Sequence, residues 1–183
     1  MCAYTGRFIY PMLSLEGRKF WILGLLPLQR ERLLWGKFAF SATGGLLIAE
    51  FLIVFSDLML GVPWWVLGLH VLTTAVLALG LSGLSVGLGA CMPNFQENDP
   101  SKIAVGFGGT LNLVAGLIFL LVTIGLMALP WHIHAATTEP VHLEVDVYAW
   151  IMGLGVVAGL GCGVAAVKVP LSLGAEALRR MEF

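Results

Sequence analysis

The stretch Phe38-Ala39-Phe40-Ser41-Ala42-Thr43-Gly44-Gly45-Leu46-Leu47-Ile48-Ala49-Glu50-Phe51-Leu52-Ile53-Val54-Phe55-Ser56-Asp57-Leu58-Met59-Leu60 decides how this chain folds. Its only ionisable residues are Glu50 and Asp57. As an α-helix it covers roughly 33 Å, enough to cross the hydrocarbon core of a bilayer. Three further apolar runs follow: Trp64 to about Met92, Ile103 to about Leu129, and Tyr148 to Val167. Gly61-Val62-Pro63 makes a short turn between the first two, and Trp64 and Trp65 mark a membrane–water interface, where amphipathic rings prefer to lie. Pro93 ends the second run, Pro130-Trp131 close the third, and Pro170 is expected to break the fourth.

The basic residues orient these spans. All 10 lysines and arginines fall outside the runs. Arg7, Arg18, Lys19, Arg30, Arg32 and Lys37 precede the first span, Lys102 lies between the second and third, and Lys168, Arg179 and Arg180 follow the fourth. With four spans, both ends and the middle loop share one side, and the positive-inside rule makes that side the cytoplasm. The expected architecture is all-α and polytopic. Residues 1–37 form a cytoplasmic interfacial helical segment, 38–168 a four-span membrane domain, and 169–183 a cytoplasmic tail. The expected location is a cell inner membrane.

Composition agrees, with 58% hydrophobic and 11% charged residues, too little polar surface to enclose such a core in water. A net charge of −1 argues against a nucleic-acid partner. Cys2, Cys91 and Cys162 show no paired spacing, so neither a disulfide framework nor a zinc knuckle is expected. The start Met1-Cys2-Ala3-Tyr4 lacks the features of a signal peptide. Asp99-Pro100 reads as a helix start, with Asp99 as cap and Pro100 in the first turn. Glycines at 83 and 87, and at 155, 159 and 163, recur every fourth residue and predict close helix packing, within the chain or at a homodimer seam.

Residues 14 to 37 do not span. Phe20 to Leu28 is too short, contains Pro27, and is flanked by Glu16, Arg18 and Lys19 and by Arg30, Glu31, Arg32 and Lys37. Such a segment lies on the membrane surface, as a lipid anchor or as a docking face for a cytoplasmic partner.

Leu15-Glu16-Gly17-Arg18, Pro27-Leu28 and Arg32-Leu33-Leu34-Trp35-Gly36-Lys37 resemble the cytoplasmic loop of ABC-2 type exporter permeases. The block from Pro93 to Ala104, with Gly106 to Asn112, is similar to a bacterial exporter branch of the same family. The resemblance implies the membrane permease component of an ATP-driven exporter, served by a separate ABC ATPase subunit that contacts Glu16, Arg18, Pro27, Arg30, Arg32 and Lys37. Such permeases have six spans, so it also implies a C-terminal portion, a fragment or split-gene piece that needs the missing spans or a second permease subunit. A non-transporting four-helix anchor or assembly protein is the alternative.

Within the spans, Glu50 falls near the midplane and is expected to face the second span, lining a transport path or binding helices together. Asp57 lies a turn from the outer end of its span, within reach of water. His70, in the antiparallel second span, sits at a depth that allows a hydrogen bond to either carboxylate. In the loop from His132 to Val147, His132, His134, His142 and Glu144 are weighed as metal ligands, but they form no closed set, and no metal or other cofactor is expected. Phosphate-loop, zinc-protease and nucleophile-elbow signatures are missing. From this the chain is expected to be no enzyme and to leave ATP hydrolysis to its partner.

Overall fold

The computed structural model describes residues 1–19, 30–97, 99–128, 131 and 145–180. Every regular element among them is helical, and four helices are long and apolar enough to cross a membrane. We label the helices from residue 30 onward α1 (Arg30–Leu60), α2 (Trp64–Cys91), α3 (Pro100–Val105), α4 (Phe107–Met127) and α5 (Val145–Arg180). The most buried, α2, is the centre of the bundle, packing most broadly on α5, then on α1 and α4.

The α1–α2 corner follows from one glycine. Gly61 adopts φ +64°, a conformation that costs a residue with a Cβ, and terminates α1. Its N–H donates to Leu58 O at 3.3 Å, and Val62 N–H reaches back to Asp57 O at 3.1 Å. This pair of bonds is a Schellman motif. Pro63 then opens α2 without wasting a helical donor.

Three boundaries differ from those read in the sequence. Helix α1 takes in 30–37, expected on the membrane surface. These residues are good helix formers, and Leu34 is buried in a cluster with Ile9, Leu13, Val86, Ala90, Leu171 and Leu178. The third span is interrupted at Gly106, whose extended backbone (ψ 172°) separates α3 from α4. The glycines at 106, 108 and 109 weaken helix propagation, and a Cβ at Gly109 would collide with the Ala104 backbone. The cap of α3 is as expected: Asp99 Oδ1 accepts from Ser101 N–H at 2.9 Å.

Pro170 does not break the last helix, and α5 continues to Arg180. Proline strips Ala166 O of its helical donor. The neighbouring helix accommodates the defect with small residues. A Cβ on Gly83 would lie 2.9 Å from Ala166 O and 2.7 Å from Val167 Cα, and one on Gly87 would overlap the Pro170 backbone. Membrane helices tolerate proline where a packed neighbour covers the exposed backbone in this way.

The first 19 residues form a tight winding of short helical turns, including a π-helical turn over Thr5–Ile9. It packs against α2, α3 and α4 and buries Ile9, Tyr10 and Leu13 almost completely. Ser14 Oγ accepts from Asn94 N–H at 3.0 Å, tying the winding to the segment after α2.

Candidate functional site

Polar side chains concentrate at three levels of the bundle. At the end where α1 and α2 join, Asp57 is buried at 6% exposure and its Oδ2 lies 2.8 Å from His70 Nδ1. Asp57 was expected at a water-accessible helix end; the turn of helix that Gly61 terminates directs it inward against α2. Above the pair, Trp65 and Trp131 meet edge to face, with centroids 4.1 Å apart.

At the middle level, Ser41 Oγ donates to Ser82 Oγ at 2.9 Å, and Asn112 Nδ2 donates to Ser85 Oγ at 3.2 Å. Both bonds are buried and fasten α1 and α4 to α2. The sequence reading missed them. The signals were Asn112 within an apolar run, and serines alternating with small residues at Ser82-Gly83-Leu84-Ser85.

At the opposite, basic end, Lys37 is buried at 7% exposure, and its Nζ donates to Glu16 Oε1 at 2.6 Å and Met12 O at 3.4 Å. Two candidates from the interfacial segment are thus brought together, fixing the winding to α1. Arg32 is exposed on α1 at the same end. Pro27 and the side chains of Arg18 and Arg30 lie outside the described residues, as do His132, His134, His142 and Glu144. Glu31 pairs with Arg179, joining the start of α1 to the end of α5. Tyr10 donates to Met92 O at 3.4 Å, and burial, with a smaller effect from Cys91, pushes its phenol above the ordinary range, so it stays a donor.

Glu50 lines a groove together with Leu46, Leu47, Phe51, Val54, Phe55 and Leu58, all from α1, and its Oε2 is shielded from solvent.

Among the described residues the fold is helical, with four helices of membrane-crossing length. Over residues 1–183 the chain matches the family model described as "Putative ATP-binding cassette", and it belongs to that family. No curated protein and no solved structure matches it.

Family membership corrects three expectations. The chain is not assigned to the ABC-2 type permeases, since the matching family is described by its ATP-binding cassette, the ATPase side of such systems. The role of permease component, with a non-transporting anchor as alternative, is overturned by the same match. So is the expectation that the chain is no enzyme and leaves ATP to a partner. The resemblance rested on short stretches around Glu16, Pro27 and Gly36-Lys37 and on the block from Pro93 to Asn112, whereas the family match takes in residues 1–183. A search for a few motifs tests only those motifs.

The described residues do not themselves fit a nucleotide. Gly36 and Lys37 lie inside α1, where backbone N–H groups are used by the helix, and Lys37 Nζ is held by Glu16. Among the described residues no strand leads into a glycine-rich turn that would present free amides to phosphate. No step is therefore derived through ATP.

Proposed function

We propose that the chain is a membrane-embedded unit of an ATP-binding cassette system, and that its basic end faces the cytoplasm and the ATP-binding machinery of that system. The observation that carries this reading is the half-buried Lys37–Glu16 pair, which joins the N-terminal winding to the first membrane-length helix at the end rich in arginine and lysine. Burying the Lys37 ammonium is costly unless it is paired, so the pair gives the junction a defined geometry. Support also comes from the basic residue distribution and from the whole-length family match. In this reading the lipid bilayer is one partner. Other parts of the same system contact the winding and the exposed Arg32.

The test uses the full chain in native membranes. Glu16→Gln and Lys37→Met are expected to leave the protein in carbonate-washed membranes and to lower the ATP turnover that co-purifies with it. The charge swap Glu16→Lys with Lys37→Glu is expected to recover part of it. Release of the unaltered chain by carbonate, or turnover indifferent to all three variants, would overturn the reading.

A further inference from the structure

Helices α1 and α5 both pack on α2 and meet each other at the basic end, where Glu31 pairs with Arg179 and Leu34 shares a cluster with Leu171 and Leu178. Farther into the bundle an apolar groove of about 360 Å³ opens between them, floored by Val76 and Leu79 of α2. Trp35 of α1 stands on one side, and Leu160, Val164 and Lys168 of α5 line the other. From Lys168 to Leu160 the groove follows two turns of α5, roughly 12 Å. One leaflet of a membrane's apolar slab is about 15 Å deep. The groove thus runs from the basic end toward the midplane, nearly the depth of one leaflet.

Lys168 is the only basic residue of α5 before Arg179. It is exposed, and the apolar surface continues past it at Val169 and Leu173, each more than half exposed. The cation therefore lies within the apolar surface rather than beyond its end, where it must find an anion or reach out to the headgroups. At this end the carboxylates of the winding, α1 and α5 are already engaged. Glu16 is held by Lys37, Glu31 by Arg179 and Glu176 by Arg180, and among the described residues no carboxylate meets Lys168. Two other apolar grooves, one around Glu50 and one between Met1 and Leu120, contain no lysine or arginine.

We propose that this groove holds one anionic glycerophospholipid of the cytoplasmic leaflet, with an acyl chain laid along α2 and its phosphate on the Lys168 ammonium. Trp35, half exposed at the same end, suits such a neighbour. An indole at a membrane boundary lays its ring against the chain and gives its N–H to headgroup oxygens. The charges select the headgroup. The amine of a zwitterionic lipid would meet a lysine here and no free carboxylate, whereas an anionic headgroup brings no amine to place. Basic pockets between membrane helices on the cytoplasmic side take headgroups of this kind. This inference rests on the membrane-embedded reading above.

Photolabelling of the full chain in phosphatidylcholine vesicles tests it. The probes are phosphatidylglycerol and phosphatidylethanolamine, each carrying a diazirine in one acyl chain, with adducts mapped by peptide mass spectrometry. Phosphatidylglycerol is expected to label the groove residues of α2 and α5 at least fivefold more than phosphatidylethanolamine does. At Phe55 and Leu121, exposed apolar residues outside the groove, the two lipids are expected to label equally. Lys168→Glu is expected to abolish the preference in the groove without changing labelling at Phe55 and Leu121, and Lys168→Arg to keep it. Equal labelling of the groove by both lipids, the same excess of phosphatidylglycerol at Phe55 and Leu121, or a preference indifferent to Lys168→Glu would each overturn the proposal. So would a photoreactive residue at Leu79 that captures another polypeptide in native membranes in place of lipid. Carbonate washing separates the two readings: a chain retained in the membrane whose groove shows no preference sinks this inference alone, whereas a chain released from the membrane sinks the proposed function.

Discussion

His70 Nδ1 lies 2.8 Å from Asp57 Oδ2, across a corner only three residues long between the helices that carry them. The bond joins α1 to α2 where the Schellman turn has already fixed their angle. Its removal therefore costs stability more than topology. Hydrogen bonds between membrane helices contribute about 0.6 kcal/mol on average and up to about 1.7 kcal/mol. Asp57→Ala and His70→Ala are each expected to destabilise the protein within that range. The double variant should cost little more than either single one, as unfolding of the purified protein in mixed micelles would measure. Additive losses would mean that the two side chains do not interact.

The contact of α2 with α5 makes a sharper prediction. Gly87→Ala places a methyl group against the Pro170 backbone and is expected to destabilise the bundle by about 1–3 kcal/mol, the usual cost of overpacking. Gly68, in the same helix, has open space where a Cβ would go. Gly68→Ala should be neutral or stabilising by up to about 1 kcal/mol, because alanine favours the helix. Equal effects at both positions in a micelle unfolding assay would contradict the packing described.

At the basic end, Glu16→Gln removes the anion opposite a buried ammonium group. Glu16 is itself about one-third exposed, so water offsets part of the loss, and about 1–2 kcal/mol is expected, near the value of a charged hydrogen bond. The readout is local, since the pair holds the winding rather than the bundle. Limited proteolysis should cut within residues 1–19 faster in Glu16→Gln than in the unaltered chain, while the spans stay protected. Unchanged cleavage would show that the winding is held by its apolar contacts.

Cys2 provides a pH test. Burial raises its thiol above the ordinary value, and the N-terminal amino group lowers it by less. A raised pKa means less thiolate at neutral pH, and the thiolate is the reactive form. In a chain with Cys91→Ser and Cys162→Ser, alkylation of Cys2 should therefore be slower in the folded protein than after denaturation. Its rate should also keep rising to a more alkaline pH. A folded-state profile matching that of the denatured chain would refute the burial of Cys2.

The number of membrane-length helices and a hydrogen bond from His70 to one of the two carboxylates of α1 were legible in the sequence, because hydropathy and a three-residue corner leave few alternatives for antiparallel neighbours; which carboxylate it meets was not. The winding of residues 1–19 was not, because it lacks a regular period and is held by contacts distant in sequence, such as Ser14 with Asn94. Continuity of α5 through Pro170 depends on Gly83 and Gly87 in another helix, and propensity at residue 170 says nothing of them. The family was misread for a different reason: short motifs near a membrane boundary recur in unrelated settings.

The unbroken α5 has a mechanical consequence. A helix of 36 residues is a rod of about 54 Å, well beyond the roughly 30 Å of a hydrocarbon slab. Its surplus length reaches Arg179, which is tied to Glu31 at the start of α1. The close contact of Gly83 with Ala166 and Val167 lies partway along the shaft, at the one place where proline has removed a rung of its ladder. The rod thus has a fulcrum and a weak point at the same level.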